Sequence, residues 1–321
     1  MDNAIPLHEW RHHLSGEYLS SFIRDGGAAV KFAVTSAADR PALRSAMQTE
    51  CRELDFLFIE LNAAHARAHM PQAIFFELAR QLDWRRLARK RILRLAEAAD
   101  YDVDGIGADG TVDVFQAIAD LQGIDAKFVL REMRKPMEDS IATNRDLARD
   151  FRVAMTHLCL HEHTREGEYG AGPLLDWLTG DDTRVSNVRP FDVFTRIDRT
   201  SARHFIESSL RWVRDAGHAG TVILLDNTRV LVSRNPKDGH RYYTKTMVMD
   251  HYELLREFID GVDRLAGTLL LIVTDEEFLD LDSKRGFGIY PALQTRVMDD
   301  VRDRNLVNPV ATLVRVAHGG P

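Results

Sequence analysis

An acidic residue follows an apolar segment in the last third of the chain and could organise a metal ion. Thr221–Leu225 is a continuous apolar run typical of a buried parallel strand, and Asp226 and Asn227 come directly after it. A carboxylate in this position could bind magnesium, whereas Asn227 could orient water but could not accept its proton at neutral pH. Thr274 ends another apolar run, and Arg296 lies where an arginine could approach a phosphate or a neighbouring subunit.

A strand of this kind, the Walker B strand of P-loop NTPases, needs a phosphate-binding loop beside it. The corresponding turn, residues 35–43, reads TSAADRPAL and contains neither glycine nor lysine. Glycines let backbone N–H groups converge on a phosphate, and a lysine neutralises its outer oxygens. We expect Asp39 to cap the next helix with its carboxylate where an anion would dock, and Pro41 removes one N–H donor. Gly26 and Gly27 precede the strand and lie at its wrong end.

The sequence therefore predicts a vestigial nucleotide site with no assignable catalytic residue and no expected cofactor or metal. Its members are Ser36, Asp39, Asp226, Asn227, Thr274 and Arg296. A simpler interpretation also fits the same pattern. Asp226 and Thr274 would then be polar strand ends and Arg296 a surface charge.

Five apolar runs predict the strands of a mainly parallel sheet that is covered on both faces. They are Ala28–Val34, Phe56–Leu61, Thr221–Leu225, Thr268–Val273 and Ala311–Val316. Helical patterns alternate with these runs, which indicates an α/β fold with right-handed crossovers. Residues 1–61 would form an N-terminal helix and the first half of the sheet, 62–220 a largely helical insertion, and 221–321 the second half of the sheet.

Composition predicts a soluble cytoplasmic protein without a membrane-spanning segment. The net charge of -7 argues against bulk attraction to nucleic acid or to an anionic membrane. Cys51 and Cys159 are the two cysteines, so no disulfide framework is expected. The first 13 residues are polar, and the apolar runs are too short to cross a bilayer.

Residues 84–99 form a helical pattern with an apolar stripe (Trp84, Ala88, Ile92, Leu95, Ala99) and a basic side. The basic residues are Arg85, Arg86, Arg89, Lys90 and Arg94. They could bind nucleic-acid phosphates or an acidic partner, but a solvated face paired with nearby carboxylates is the interpretation we favour. No aromatic residues alternate with these basic residues, which weakens the case for binding of single-stranded nucleic acid.

Two patterns resemble metal sites; the first is rejected and the second is a weak motif. Asp100-x-Asp102-x-Asp104-Gly105 resembles the start of a calcium loop, but the required glutamate is replaced by Thr111. The second pattern is a histidine cluster made of His157, Cys159, His161 and His163, with Glu162 and Glu166 nearby. It lacks a second ligand pair of zinc-like spacing, so a metal-dependent hydrolase is only a distant option.

The chain resembles the BREX-type BrxC/BrxD ATP-binding proteins of bacterial phage defence. The resemblance is strongest at Ala216–Asp226, at Tyr252–Asp260 with the pattern Y-x-x-L-R-x-x-I-D, at Leu270–Thr274, at Phe278, at Arg285-Gly286 and at Ala292–Arg296. It is weaker over Val30–Leu82, and the helical middle is similar only in length and character. The family's Walker A signature is absent here, and its Asp-Glu pair reads Asp226-Asn227.

The resemblance implies an ASCE-type (AAA+/STAND-like) three-layer sandwich with a five-stranded sheet of order 5-1-4-3-2. It also implies ATP and magnesium as ligands and other proteins of a defence gene cluster as partners, in a homo- or hetero-oligomer. With its altered residues, the chain would be an inactive pseudo-NTPase with a regulatory or scaffolding role. The alternative is an ATP-binding protein or conditional ATPase whose site is completed by a partner. Contact with nucleic acid stays open.

Overall fold

A computed structural model describes residues 4–109, 113–161, 170–298 and 308–318. The chain divides into two compact units. The first comprises Met1–Ile74 and His218–Pro321, and the second Phe75–Gly217. The second unit lies within the predicted insertion of residues 62–220.

The first unit contains one sheet in which all six described strands are parallel. They are β1 (Ile5–Pro6), β2 (Ala28–Val34), β3 (Phe56–Asn62), β4 (Gly220–Asp226), β5 (Thr268–Thr274) and β6 (Leu313–Ala317). Their order across the sheet is β1-β6-β2-β5-β4-β3. All five predicted runs form strands, but the predicted count was wrong, because Ile5–Pro6 adds a strand beside β6. The sheet order differs from 5-1-4-3-2 by this additional edge strand.

Eleven α-helices lie within the described residues. They are α1 (Leu7–Leu14), α2 (Arg40–Glu53), α3 (Pro71–Ala79), α4 (Trp84–Ala98), α5 (Val114–Gln122), α6 (Ala126–Met137), α7 (Arg149–Leu160), α8 (Gly172–Thr179), α9 (Ala202–Asp215), α10 (Lys245–Asp260) and α11 (Pro291–Val297). A π-helical segment, Ser15–Ile23, follows α1. No helix among the described residues has the length and apolarity needed to cross a membrane.

The two faces of the sheet are covered by different helices because the central strands are apolar on both sides. One face packs against α1 and α2 in a cluster that includes Ala29, Ala33, Val222, Leu224, Leu269, Leu271 and Val273 from the strands and Trp10, Leu43, Met47 and Cys51 from the helices. On the other face, Phe32 stacks on Phe278 with ring centroids 5.6 Å apart. Tyr252 of α10 packs edge-on against the same ring of Phe278.

The second unit is helical and contains no strand among its described residues. Phe205 of α9 lies at the centre of an aromatic cluster. Its ring centroid is 5.4 Å from that of Trp177, 5.7 Å from that of Phe75 and 6.2 Å from that of Phe151. Edge-on aromatic pairs of this kind add packing energy to the burial of apolar area.

Replacing Gly220 with alanine should destabilise the first unit. A Cβ atom there would lie 2.3 Å from the carbonyl oxygen of Gly267 and 2.7 Å from the ring of Phe56, so β4 or its neighbour would have to move. We expect the free energy of unfolding to fall by about 2 kcal/mol in urea denaturation. Gly16→Ala is the matched control, because a Cβ atom at Gly16 meets nothing within 4 Å. Equal stability of the two variants would contradict the close approach at Gly220.

Candidate nucleotide site at the carboxyl edge of the sheet

The carboxyl ends of β2, β4 and β5 meet at one edge of the sheet, as parallel pairing requires. Val34 pairs with Thr274, and Asp226 pairs with Val273. The ladder continues one residue further on both sides of β5. The amide of Thr35 donates to the carbonyl of Thr274 (2.9 Å), and that of Asn227 donates to the carbonyl of Val273 (2.8 Å). The structure therefore brings Asp226, Asn227 and Thr274 close to the turn that precedes α2.

Asp39 stands at the N-cap position of α2, but its carboxylate bonds to Ser36 and not to the amides of the helix. The side chain of Asp39 makes no capping hydrogen bond, so the predicted role of its carboxylate was wrong. Instead, the hydroxyl of Ser36 donates to Asp39 Oδ2 (2.8 Å) and accepts from the Asp39 amide (3.2 Å). The carbonyl of Ser36 also accepts from the amides of Asp39 and Arg40, at 3.1 and 3.2 Å. This reciprocal pairing resembles a capping box and uses two amides that a phosphate would need.

Arg40, which sequence reasoning did not select, lies against the carboxylate of the β4 strand end. Its Nη1 atom is 3.6 Å from Asp226 Oδ2 and donates to Thr228 Oγ1 at 2.7 Å. The side chains of Arg40 and Asp226 are only 27% and 20% exposed, so their attraction is less screened than in a surface pair. A guanidinium of α2 therefore neutralises this carboxylate from within the chain. The sequence signal for this pairing was an arginine at the first position after a strand–helix turn.

The second oxygen of Asp226 is also occupied. Asp226 Oδ1 accepts from the Thr228 amide (3.0 Å) and from the Thr228 hydroxyl (2.6 Å). Aspartate commonly bonds to the backbone two residues further on in this way, and it stabilises the turn after a strand. Arg40, Thr228 and Asp226 form a closed cluster, in which Thr228 accepts from the arginine and donates to the aspartate.

Asn227 points to the opposite face of the sheet and is fully buried against α10. The end of its side-chain amide lies 2.7 Å from His251 Nε2, and His251 Nδ1 lies 2.8 Å from the carbonyl oxygen of Ala68. A carbonyl only accepts, so His251 Nδ1 carries a proton. Burial lowers the pKa of His251 to about 4, so the imidazole is neutral at pH 7. Nε2 of this neutral ring accepts, so the Asn227 amide donates to it through its NH2 group. Asn227 thus connects β4 to α10 and to the loop that contains Ala68, which is a structural role that its sequence position did not indicate.

Three buried polar atoms at this edge have no hydrogen-bond partner within the described residues. They are Thr35 Oγ1, Thr274 Oγ1 and Arg40 Nε, and both threonines are 0% exposed. Buried polar groups are nearly always satisfied by protein or by ordered water. The edge therefore keeps two hydroxyl groups and a guanidinium N–H available for water or for a small polar group.

A family comparison covers this part of the chain. The model of the family described as "BREX system ATP-binding protein BrxC/D" matches residues 113–318, more than half of the chain. The chain belongs to the BrxC/BrxD family. The match contains β4, β5 and β6, including Asp226, Asn227 and Thr274, and it begins after the β2–α2 turn. No curated protein and no solved structure gave a significant match.

The residues of this BrxC/BrxD family member do not fit a magnesium–triphosphate group. The amides of Asp39 and Arg40 are already bonded to Ser36, and the turn offers no lysine. Magnesium would have to displace the guanidinium of Arg40 from Asp226. Asp275, just beyond β5, adds a second acidic group near this edge. Burial raises the pKa of Asp275, and the nearby charge of Arg40 partly opposes this effect.

Arg296 lies at the other edge of the sheet. It forms a two-point ion pair with Asp260, in which Nη2 is 2.9 Å from Oδ2, and Asp260 also pairs with Arg256. Arg296 lines a cavity of about 560 Å³ together with Ala28 and Ala29, the first residues of β2. The predicted approach of Arg296 to a phosphate beside Asp226 was therefore wrong, because α11 places it near the carboxyl end of α10. Its approach to a neighbouring subunit stays a prediction.

The predicted basic side of α4 is not a continuous exposed surface. Arg89 is 2% exposed and donates to the carbonyl of Gly107 at 3.0 Å. Arg86 is 3.0 Å from Asp109, and Arg94 donates to the carbonyl of Arg214 at the end of α9. Arg85 and Lys90 are half-buried. These contacts favour pairing within the second unit over a phosphate-binding surface. The predicted apolar stripe is also shorter than expected, since Leu95 is half-buried and Ala99 exposed.

The histidine cluster shows packing rather than ligation. His157 and His161 stack with ring centroids 5.8 Å apart, and burial lowers the pKa of His157. Cys159 is buried, and its thiol lies 3.8 Å from the carbonyl oxygen of Ala88. Among the described residues, no group of three or more His, Cys, Asp or Glu could hold a metal ion. Thr111, Glu162, His163 and Glu166 lie outside those residues.

The buried histidine predicts a loss of stability in acid. The pKa of His251 is lowered from 6.5 to about 4, so the unfolded chain binds this proton more readily. The contribution of neutral His251 to the free energy of unfolding is fully present above pH 6.5 and is lost as the pH falls to about 4. The loss amounts to about 3 kcal/mol. Urea denaturation between pH 7 and 4 should show this slope in the wild type and a smaller slope in His251→Gln. His8→Gln, at an exposed site, is the control. An unchanged slope in His251→Gln would exclude the assignment.

Proposed function

We propose that this chain is a non-hydrolysing component of a BREX-type phage-defence system and acts through other proteins of that system. Membership of the BrxC/BrxD family supports the assignment to BREX. The observation that carries the non-hydrolysing role is the pairing of Arg40 with Asp226 beside a turn without glycine or lysine. The proposed role is regulatory or scaffolding. The chain would perform it in the cytoplasm, as part of a homo- or hetero-oligomer.

The physical argument is a competition for one carboxylate. A Walker B aspartate serves hydrolysis by holding the magnesium ion that bridges two phosphates. Here Asp226 already bonds to Thr228 through one oxygen and faces Arg40 with the other. No lysine is present in the turn to compensate the charge of a triphosphate. The position of a catalytic glutamate is occupied by Asn227, whose amide cannot serve as a base.

Calorimetric titration with Mg-ATP tests the proposal directly. We expect no binding at protein concentrations that would detect a dissociation constant of about 100 μM, because two amides and the carboxylate are occupied. Asp226→Ala should give the same titration result as the wild type. Both should co-purify equally with the other proteins of the system. Micromolar binding that Asp226→Ala abolishes would refute the proposal.

A conditional ATPase is the second candidate, and the buried unsatisfied atoms at the carboxyl edge favour it. The hydroxyls of Thr35 and Thr274 could receive water or a polar group when a partner completes the site. The partner would then supply the missing lysine or arginine, and Asp226 would be released from Arg40.

This second candidate is tested by mixing the chain with the complete set of proteins of its system and measuring phosphate release. Turnover that appears only in the mixture and is lost in Asp226→Ala would establish it. Asp25→Ala is the control, because Asp25 is exposed and lies at the other end of β2. On the preferred proposal, the mixture with the wild-type chain releases phosphate no faster than the mixture with Asp226→Ala.

A further inference from the structure

A second concave site lies in the first unit, between two loops that the nucleotide argument does not use. Its cavity measures about 330 Å³ and is lined by Arg67, His69, Arg241, Tyr242 and Tyr243, together with two methionines. One loop, residues 63–70, follows β3, and the other, residues 232–244, precedes α10. The first of these loops extends from the same edge of the sheet as Asp226, because Asn62 pairs with Asp226.

The two loops carry a concentration of positive charge that the net charge of -7 conceals. Residues 63–70 contain no acidic residue, and residues 228–247 contain only Asp238. Asp238 is already paired with Arg229, at 2.7 Å. The basic residues of these two segments are Arg67, Arg229, Arg234, Lys237, Arg241 and Lys245. All of them except Arg229 are exposed, so this surface attracts an anionic partner.

Two of these cations are available to a ligand at the cavity itself. Arg241 is held by its backbone amide, which donates to the carbonyl of Ala64 at 3.0 Å, and by its Nε, which donates to the carbonyl of His65. Its two terminal nitrogens make no ion pair within the described residues. Arg67 also lacks a carboxylate partner there, and its side chain contacts Met70 Sδ at 4.0 Å. Oriented guanidinium groups of this kind bind phosphate oxygens well.

Aromatic rings form the other walls of the cavity and are held in place from behind. The hydroxyl of Tyr242 accepts from Arg285 Nη2 at 2.9 Å, and the guanidinium of Arg285 lies 5.3 Å from the Tyr242 ring centroid. Tyr243 is buried, its one hydroxyl proton is shared between the carbonyls of Ala63 and Ala66, and its oxygen accepts from the Ala68 amide at 3.1 Å. His69 packs edge-on against Tyr243 at 5.6 Å. Rings beside unpaired arginines match a nucleotide, which presents a flat base and a phosphate.

We propose that this cavity binds single-stranded nucleic acid. One base lies against the partly exposed ring of Tyr242, and Arg67 and Arg241 contact the adjacent phosphates. The exposed cations Arg234, Lys237 and Lys245 extend the phosphate-binding surface along the strand. An acidic peptide would satisfy the charges but would leave the aromatic walls without a planar partner, so nucleic acid is the better match. The proposal does not depend on whether Asp226 takes part in ATP hydrolysis.

Fluorescence anisotropy with a labelled strand of about 20 thymidines, added to the full chain without ATP, tests the proposal. The double variant Arg67→Gln/Arg241→Gln should bind about tenfold or more weakly. The negative slope of log affinity against log salt should become shallower by about 1.4, since two phosphate contacts are lost. The double variant Arg131→Gln/Arg134→Gln removes the same charge from exposed positions of α6 and should change the affinity less than about twofold.

Further arms of the experiment separate the possible ligands. An abasic strand of equal length should bind at least about fivefold more weakly, because it cannot stack on tyrosine. Neither excess AMP nor polyglutamate should displace the strand as well as unlabelled thymidine strand does. The single variant Arg67→Gln is the control for misfolding of the double variant, since Arg67 is exposed and its substitution removes no ion pair. Several outcomes would overturn the proposal: no binding by the wild type, equal loss in the α6 variant, equal binding of the abasic strand, or effective displacement by AMP or polyglutamate.

Discussion

The position of β4 between β3 and β5, with both faces of the sheet covered, controls the chemistry at the carboxyl edge. Successive residues of a strand point to opposite faces, so the two polar residues at the end of β4 diverge. Asp226 is directed to the side of α2, where Arg40 and Thr228 meet it. Asn227 is directed to the side of α10 and is buried against His251. The aspartate and the asparagine therefore serve different layers of the fold.

On the α2 side, the cluster of Arg40, Thr228 and Asp226 supplies internally the positive charge that a metal ion would otherwise bring. Two opposite charges in a partly buried position stabilise each other more than a surface pair, and breaking the pair would leave one of them poorly solvated. The hydrogen bonds that Ser36 accepts from Asp39 and Arg40 act in the same direction, because they use amides at the helix start. Both features make the turn stable without a ligand.

On the α10 side, buried hydrogen bonds join the end of β4 to the loop that follows β3. His251 connects Asn227 to Ala68, and the hydroxyl of Tyr243 bonds to Ala63 and Ala66 in the same loop. This loop also carries Arg67, so the framework of the basic cavity is tied to the centre of the sheet. A rigid framework lowers the entropic cost of binding at such a surface.

The sequence by itself determined five of the six described strands, the helical character of the middle segment and the absence of a glycine- and lysine-containing loop. Continuous apolar runs leave little choice of structure, and an absent residue type needs no coordinates to be recognised. Only the tertiary structure decided that Asp39 bonds to Ser36 and does not cap α2, that Arg40 meets Asp226, that Asn227 is buried and that Arg296 lies at the opposite edge. These outcomes depend on contacts between residues far apart in the chain, such as Arg40 with Thr228 and Asn227 with His251. Local pattern cannot indicate them, because the packing of helices against the two faces of the sheet decides which side chains meet.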